Sequence, residues 1–158
     1  MMTTLSFRCP STFSPIEWLK GGIELVTFQC AAHGKPIALT LWGEQKWGLK
    51  ISSAMHDVAE RIEVGVLVFE LVAEKNAQDL SLRVPDSFKR SHLVEKLLID
   101  VDGVTAESGV LISTANGDVL VAVAGAYPYT VTFFATGLPG NFEPEYPLEK
   151  YRRTKYVG

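Results

Sequence analysis

The sequence predicts a mainly β domain: an antiparallel barrel-like or sandwich fold with one or two short helices. Three observations predict it. Short runs of apolar and β-branched residues recur between turn residues. Asn116 and Gly117 separate two valine-rich runs, which is the strongest short-range hairpin signal. The glycines do not open strand–turn–helix units, which argues against a doubly wound α/β fold.

The elements follow in order. Residues 1–22 read as an irregular arm, because Pro10 and Pro15 interrupt any long ladder or helix. Phe13, Ile16, Trp18 and Leu19 are available to pin the arm to the body, and Gly21 and Gly22 mark a turn. Residues 23–30 are rich in β-formers and make the first firm strand. After a turn at His33 to Pro36, Ile37, Leu39 and Leu41 alternate and share one strand face. Trp47, Leu49 and Ile51 alternate in the same way, giving a short third strand.

Residues 52–62 are expected to be a short helix. Ser52 or Ser53 is a capping residue, and Met55, Ala59 and Ile62 fall at helical spacing. Residues 63–72 are a dense apolar run whose length and branching favour a central strand, with Val66, Val68 and Phe69 buried. Leu80, Leu82 and Val84 alternate with Ser81 and Arg83 as in a half-buried strand, ended by Pro85 and Asp86. One helical turn is expected within residues 87–92. The apolar run at 93–101 fits a helix or a strand, and a strand after Lys96 is favoured because Ile99, Val101, Asp102 and Gly103 read as strand then turn.

A type I′ turn on Asn116 and Gly117 would pair residues 110–115 with 118–124. In that register Thr114 meets Val119, Ser113 meets Leu120 and Ile112 meets Val121. Val110, Ile112, Val119, Val121 and Val123 would then share the core face. Gly125 ends this strand, and residues 129–135 resume the β pattern with Val131 and Phe133 on one side. Gly137, Leu138, Pro139, Gly140 and Asn141 form a loop. Residues 142–158 are a Pro/Tyr-rich tail, too broken by Pro144 and Pro147 to be a single regular element.

A chain of 158 residues, 47% hydrophobic and 21% charged, is expected to be one globular domain spanning 1–158. This composition excludes wholesale disorder. A net charge of -3 does not advertise the basic surface that nucleic acid requires. The first residues carry no basic start followed by an apolar run, and no apolar stretch reaches membrane-spanning length. The expectation is a cytoplasmic protein with neither membrane nor nucleic acid as partner. Cys9 and Cys30 are expected to be free thiols, with Cys30 in a strand core.

Candidate chemistry is sparse. His33, His56 and His92 lack ligand spacing, and His56 and Asp57 are adjacent, so neither metal nor cofactor is expected. Ser108 follows Glu107 and precedes Gly109 without the glycine pattern of a nucleophile elbow. Glu60, Glu63, Glu70, Asp100 and Asp102 could supply paired carboxylates, but they read equally well as solvated strand ends. No phosphate-binding glycine motif is present. Lys150, Arg152, Arg153 and Lys155 interleave with Tyr151 and Tyr156, but Glu143, Glu145 and Glu149 weaken the local potential.

The remaining leads are aromatic. Tyr127 and Tyr129 flank Pro128 at a strand break and could line a groove; Trp42, Trp47 and Phe142 complete the candidate binding set. The function expected from the sequence is a soluble, non-enzymatic binding or assembly module. Self-association as a homodimer is the leading partnership, since sheet edges invite pairing, and a protein partner is the next. The alternative is a small enzyme or small-molecule carrier with a pocket in a barrel-like fold.

Overall fold

Two antiparallel sheets stack as a sandwich, with one small helix at their side. The computed structural model describes residues 3–60, 62–90, 92–138 and 140–155. The strands are β1 (Thr3–Leu5), β2 (Leu25–Cys30), β3 (Pro36–Trp42), β4 (Gly48–Ala59), β5 (Ile62–Val72), β6 (Leu80–Arg83), β7 (His92–Val101), β8 (Val104–Thr114), β9 (Val119–Ala124), β10 (Val131–Ala135) and β11 (Arg152–Lys155). The helix α1 spans Pro15–Lys20, and single 3-10 turns lie at Asp86–Lys89 and Leu148–Lys150. One sheet runs β10-β9-β8-β7-β11, with β1 added in parallel to the start of β8; the second runs β5-β4-β3-β2-β6.

The sheets meet through alternate residues. Leu39, Leu41, Ile51, Leu67 and Phe69 of the second sheet pack on Val110, Ile112, Leu120 and Phe133 of the first. The intervening residues of β8 and β9 are buried too. Leu111, Val121 and Val123 belong to a second cluster with Leu97, Ile99 and Tyr151. That cluster is completed by Val64, Val66, Ala54 and Val58, the far half of the β4–β5 hairpin. The long hairpin therefore serves both clusters.

Its route is set by a bulge. Leu97 pairs with Gly109 and Leu98 with Glu107, leaving Ser108 as the extra residue of β8. On its other side β8 pairs with β9 from Gly109 onward and with β1 up to Ala106. β5 passes beside the gap so left, where Ser108 Oγ donates to the Gly65 carbonyl at 2.5 Å.

Several sequence expectations need correction. Residues 52–62 are not a helix: Ser52 to Asp57 pair one for one with Val68 to Glu63, so cross-strand pairing in the β4–β5 hairpin overrides helical spacing. The run at 62–72 ends its sheet rather than lying at its centre, and Val68 is only half-buried although Val66 and Phe69 are fully enclosed. The arm at 1–22 is not irregular throughout, for it contains β1 and α1. α1 begins at a proline suited to a first helical turn and buries Ile16, Trp18 and Leu19. Trp18 Nε1 donates to the Trp47 carbonyl at 2.8 Å. The tail at 142–158 is, as expected, no single regular element: its described residues include the 3-10 turn at Leu148–Lys150 and β11, which pairs with β7.

The β8–β9 hairpin forms, but its register is shifted by one. Ser113 pairs with Val119, Ile112 with Leu120 and Val110 with Ala122. The loop has three residues, not two: the Thr114 amide donates to the Asp118 carbonyl at 3.0 Å, and the Gly117 amide to the Thr114 carbonyl at 3.0 Å. Gly117 has φ +86°, while Asn116 is not among the positive-φ residues, as in a type I turn followed by a left-handed glycine. A one-residue slip exchanges the faces of a strand. Val121 and Val123 consequently face the second cluster, and Leu120 and Ala122 the first. Cys30 is exposed at the end of β2 rather than enclosed in a strand core, and both cysteines are free.

Candidate functional site

Among the described residues, β6 ends one sheet and β10 the other, each with strand pairing on one side. A groove of about 310 Å³ lies between them. Its apolar lining comes from Phe28, Leu80, Leu82 and Phe133. Phe28 and Phe133 meet edge to face with ring centroids 5.4 Å apart, a favourable aromatic geometry. Leu80 is 61% exposed on the rim. Cys30, Lys35 and Glu143 supply polar groups at the other side.

The polar rim is tightly bonded. Lys35 Nζ reaches Glu143 Oε1 at 2.5 Å, and Asn141 Nδ2 donates to the same oxygen at 3.1 Å. The bond to Glu143 raises the Lys35 pKa above its ordinary value. Glu143 is fixed through its backbone: its amide donates to Thr132 Oγ1 at 2.9 Å, and its carbonyl accepts the Ala126 amide at 2.9 Å. A small hollow extends the groove from Lys35 and Glu143 to Tyr127. The Tyr127 ring has Lys35 Nζ 5.2 Å from its centroid, and His33 stacks on it at 6.1 Å.

The turn carrying the tyrosines is closed by Thr130. Its amide and hydroxyl both donate to the Tyr127 carbonyl, at 3.2 and 2.6 Å, and its carbonyl accepts the Gly125 amide at 2.8 Å. Pro128 and Tyr129 are the central residues. Tyr129 has φ +61°, the left-handed region that tyrosine rarely adopts, and is 62% exposed.

The other candidates of the sequence lie elsewhere. Trp42 is half-buried in β3, with Nε1 donating to Thr27 Oγ1 at 3.0 Å. Trp47 is exposed before β4 with Lys46 5.3 Å from its ring. Phe142 packs against Phe134 at 6.2 Å. Of the five, Tyr127 alone reaches the hollow that extends the groove.

The residues weighed for catalysis are dispersed. His33 lies at the groove rim, whereas His56, Asp57 and Glu63 lie near the tip of the β4–β5 hairpin. The Arg8 guanidinium approaches His56 Nε2 at 2.9 Å. His92 hydrogen-bonds to the Leu19 and Arg90 carbonyls. Asp100 is held down to about 2 by the bond from Arg152 and then by that from Thr105. Arg152 donates to it at 2.8 Å, and Arg153 reaches Glu95 at 2.5 Å, so these two tail cations are ion-paired across β11 and β7. Tyr156 lies outside the described residues, as does Pro139 of the 137–141 loop.

Sequence reasoning missed the groove because its walls come from β2, β6, β10 and two loops. The Lys35–Glu143 pair spans 108 positions, and no local spacing announces it. The β-alternation of Leu80 and Leu82 was the available signal. Among the described residues no helix is long and apolar enough to cross a membrane. Comparison with protein-family models, with curated proteins and with solved structures finds no match.

Proposed function

We propose that the protein is a non-enzymatic, cytoplasmic assembly module that docks a second copy of itself across the groove between β6 and β10. One observation carries this reading: both sheets bring an end strand to the same apolar groove. Such edges invite pairing, and the commonest closed assembly is a two-fold dimer. Leu80 and Tyr127 are the apolar anchors, and Lys35 and Glu143 form a polar rim beside them. Tyr129 supports the same reading, since an exposed aromatic is retained at a backbone geometry that disfavours it.

Sedimentation equilibrium over a range of protein concentrations tests the proposal. The expected result is a mass rising from the 17.4 kDa chain toward twice that value. Leu80→Glu and Tyr127→Ala should return the protein to monomer, while Lys155→Ala should not. A mass that stays at the single-chain value at high micromolar concentration rejects self-assembly.

A second reading rests on the volume of the groove. About 310 Å³ is at the lower end of small-ligand pockets, and the lining joins an apolar floor to one ion pair. A carrier of a small amphipathic molecule would bind a polarity-sensitive dye with one-to-one stoichiometry as a monomer. Leu82→Glu should abolish that binding.

A further inference from the structure

The outward face of the second sheet carries a separate depression of about 170 Å³. Its floor is a cross-strand row: Thr27 of β2 pairs with Thr40 of β3, which pairs with Lys50 of β4. Trp42 lies two residues from Thr40 on the same face. Its indole is fixed by the 3.0 Å bond from Nε1 to Thr27 and lies over Gly48, where a Cβ would come within 2.7 Å of the ring.

The wall comes from the β5–β6 connection. These strands are at opposite ends of the sheet, so residues 73–79 must cross four inter-strand gaps, about 19 Å. The crossing brings Glu74, Asn76 and Asp79 to the depression and sets Lys75 Nζ 5.5 Å from the Trp42 ring centroid. Asn76 shapes the loop, since its Oδ1 accepts the Gln78 amide at 3.0 Å and its carbonyl accepts the Asp79 amide at 3.1 Å.

From this arrangement we infer that the depression binds one pyranose ring of a neutral polysaccharide. The class of ligand follows from three properties. A flat aromatic ring offers the apolar face on which a sugar's C–H face stacks. Around it are donors from Lys50, Gln29 and Asn76 and acceptors from Glu74 and Asp79, the mixture that hydroxyl groups require. The lining mixes one ammonium, Lys50, with two carboxylates, Glu74 and Asp79, and so presents no cluster of a single sign to an anion or a cation. The volume suits a single ring and falls below that of drug-sized pockets, about 300–1,000 Å³. The Lys75 ammonium is the flexible end of its chain and swings off the indole when a sugar stacks there. The site is on the opposite side of the second sheet from the residues of the sandwich core and does not depend on self-assembly.

Affinity electrophoresis tests this in gels containing soluble starch, hydroxyethyl cellulose, xylan or galactomannan, followed by calorimetry with the matching hexasaccharide. The expected result is retardation in at least one neutral gel. Trp42→Ala should weaken the hexasaccharide by about tenfold or more, a difference of about 1.4 kcal/mol. Asp79→Ala, a change at a half-buried loop residue outside the strands, should also weaken it. Lys75→Ala should bind at least as tightly as the parent. Unchanged mobility in every neutral gel overturns the proposal, as does retardation that survives both Trp42→Ala and Asp79→Ala. Retardation by dextran sulfate alone overturns the neutral class.

Discussion

Ser108 Oγ donates to the Gly65 carbonyl at 2.5 Å, joining the bulge of β8 to the middle of β5. Ser108 is fully buried, so its hydroxyl serves the strand crossing. Ser108→Ala leaves the Gly65 carbonyl without this donor and is expected to cost about 1–3 kcal/mol. A urea melt of the purified variant checks it. A midpoint equal to that of the parent would remove the structural role assigned to Ser108.

The same crossing fixes the identity of residue 65. A Cβ there would sit 2.5 Å from the Ala124 Cβ, closer than real carbons approach. Gly65→Ala should therefore destabilise by about 1–3 kcal/mol through overpacking. The combined variant Gly65→Ala/Ala124→Gly should recover part of the loss, because it removes the atom that collides. Denaturant midpoints of the three proteins decide this.

Glu145 gives the fold a pH dependence. Burial pushes its carboxyl up to about 7, opposed by the 3.1 Å bond from the Gly65 amide and reinforced by the nearby Glu63 charge. A carboxyl raised from an ordinary value near 4.5 holds its proton more tightly when folded. Its contribution to stability is complete below pH 4.5 and is lost as pH rises through about 7. Glu145→Gln keeps an acceptor for the Gly65 amide and cannot ionise. The variant should match the parent at pH 4.5 and exceed it at pH 8 by about 1–3 kcal/mol, the full linkage value being discounted for partial exposure. Urea melts at the two pH values measure the difference. An equal gap at both would contradict it.

Tyr129 occupies a turn position that glycine fills without strain. Tyr129→Gly is expected to raise stability by about 1 kcal/mol by relieving the left-handed backbone. The gain would appear in the melting temperature of the monomer. A loss of stability would show instead that the tyrosine ring makes a supporting contact.

Much of the architecture was legible because strands carry a local signature. The alternation of Ile37, Leu39 and Leu41, and the glycine at 117, lie in adjacent residues and translate directly into β3 and the β8–β9 hairpin. The error at residues 52–62 comes from cross-strand pairing. Met55, Ala59 and Ile62 have helical spacing, yet the strand partners of residues 52–57 lie farther along the chain and impose an extended form. The hairpin register depended on a side chain: Thr114 Oγ1 accepts the Asp118 amide at 3.2 Å in the three-residue loop. Tyr127 was visible as an exposed aromatic at a strand break. Its neighbours Lys35 and His33 come from the β2–β3 side and have no sequence relation to it.

The arm that begins the chain has a protective consequence. Residues 64–69 of β5 read Val-Gly-Val-Leu-Val-Phe, an uncharged segment without proline. Such six-residue windows form steric zippers when their backbone edge is accessible to other chains. Here the Arg8 amide donates to the Leu67 carbonyl at 3.0 Å, and the Arg8 carbonyl accepts the Phe69 amide at 2.7 Å. Ser108 and Glu145 occupy the carbonyl and amide of Gly65 farther along the strand. Phe7 seals the same stretch, its ring edge-on to Phe69 at 5.0 Å. The arm thus covers the backbone edge of this segment, and freeing Arg8 from β5 is expected to expose the Leu67 carbonyl and the Phe69 amide to pairing with other chains.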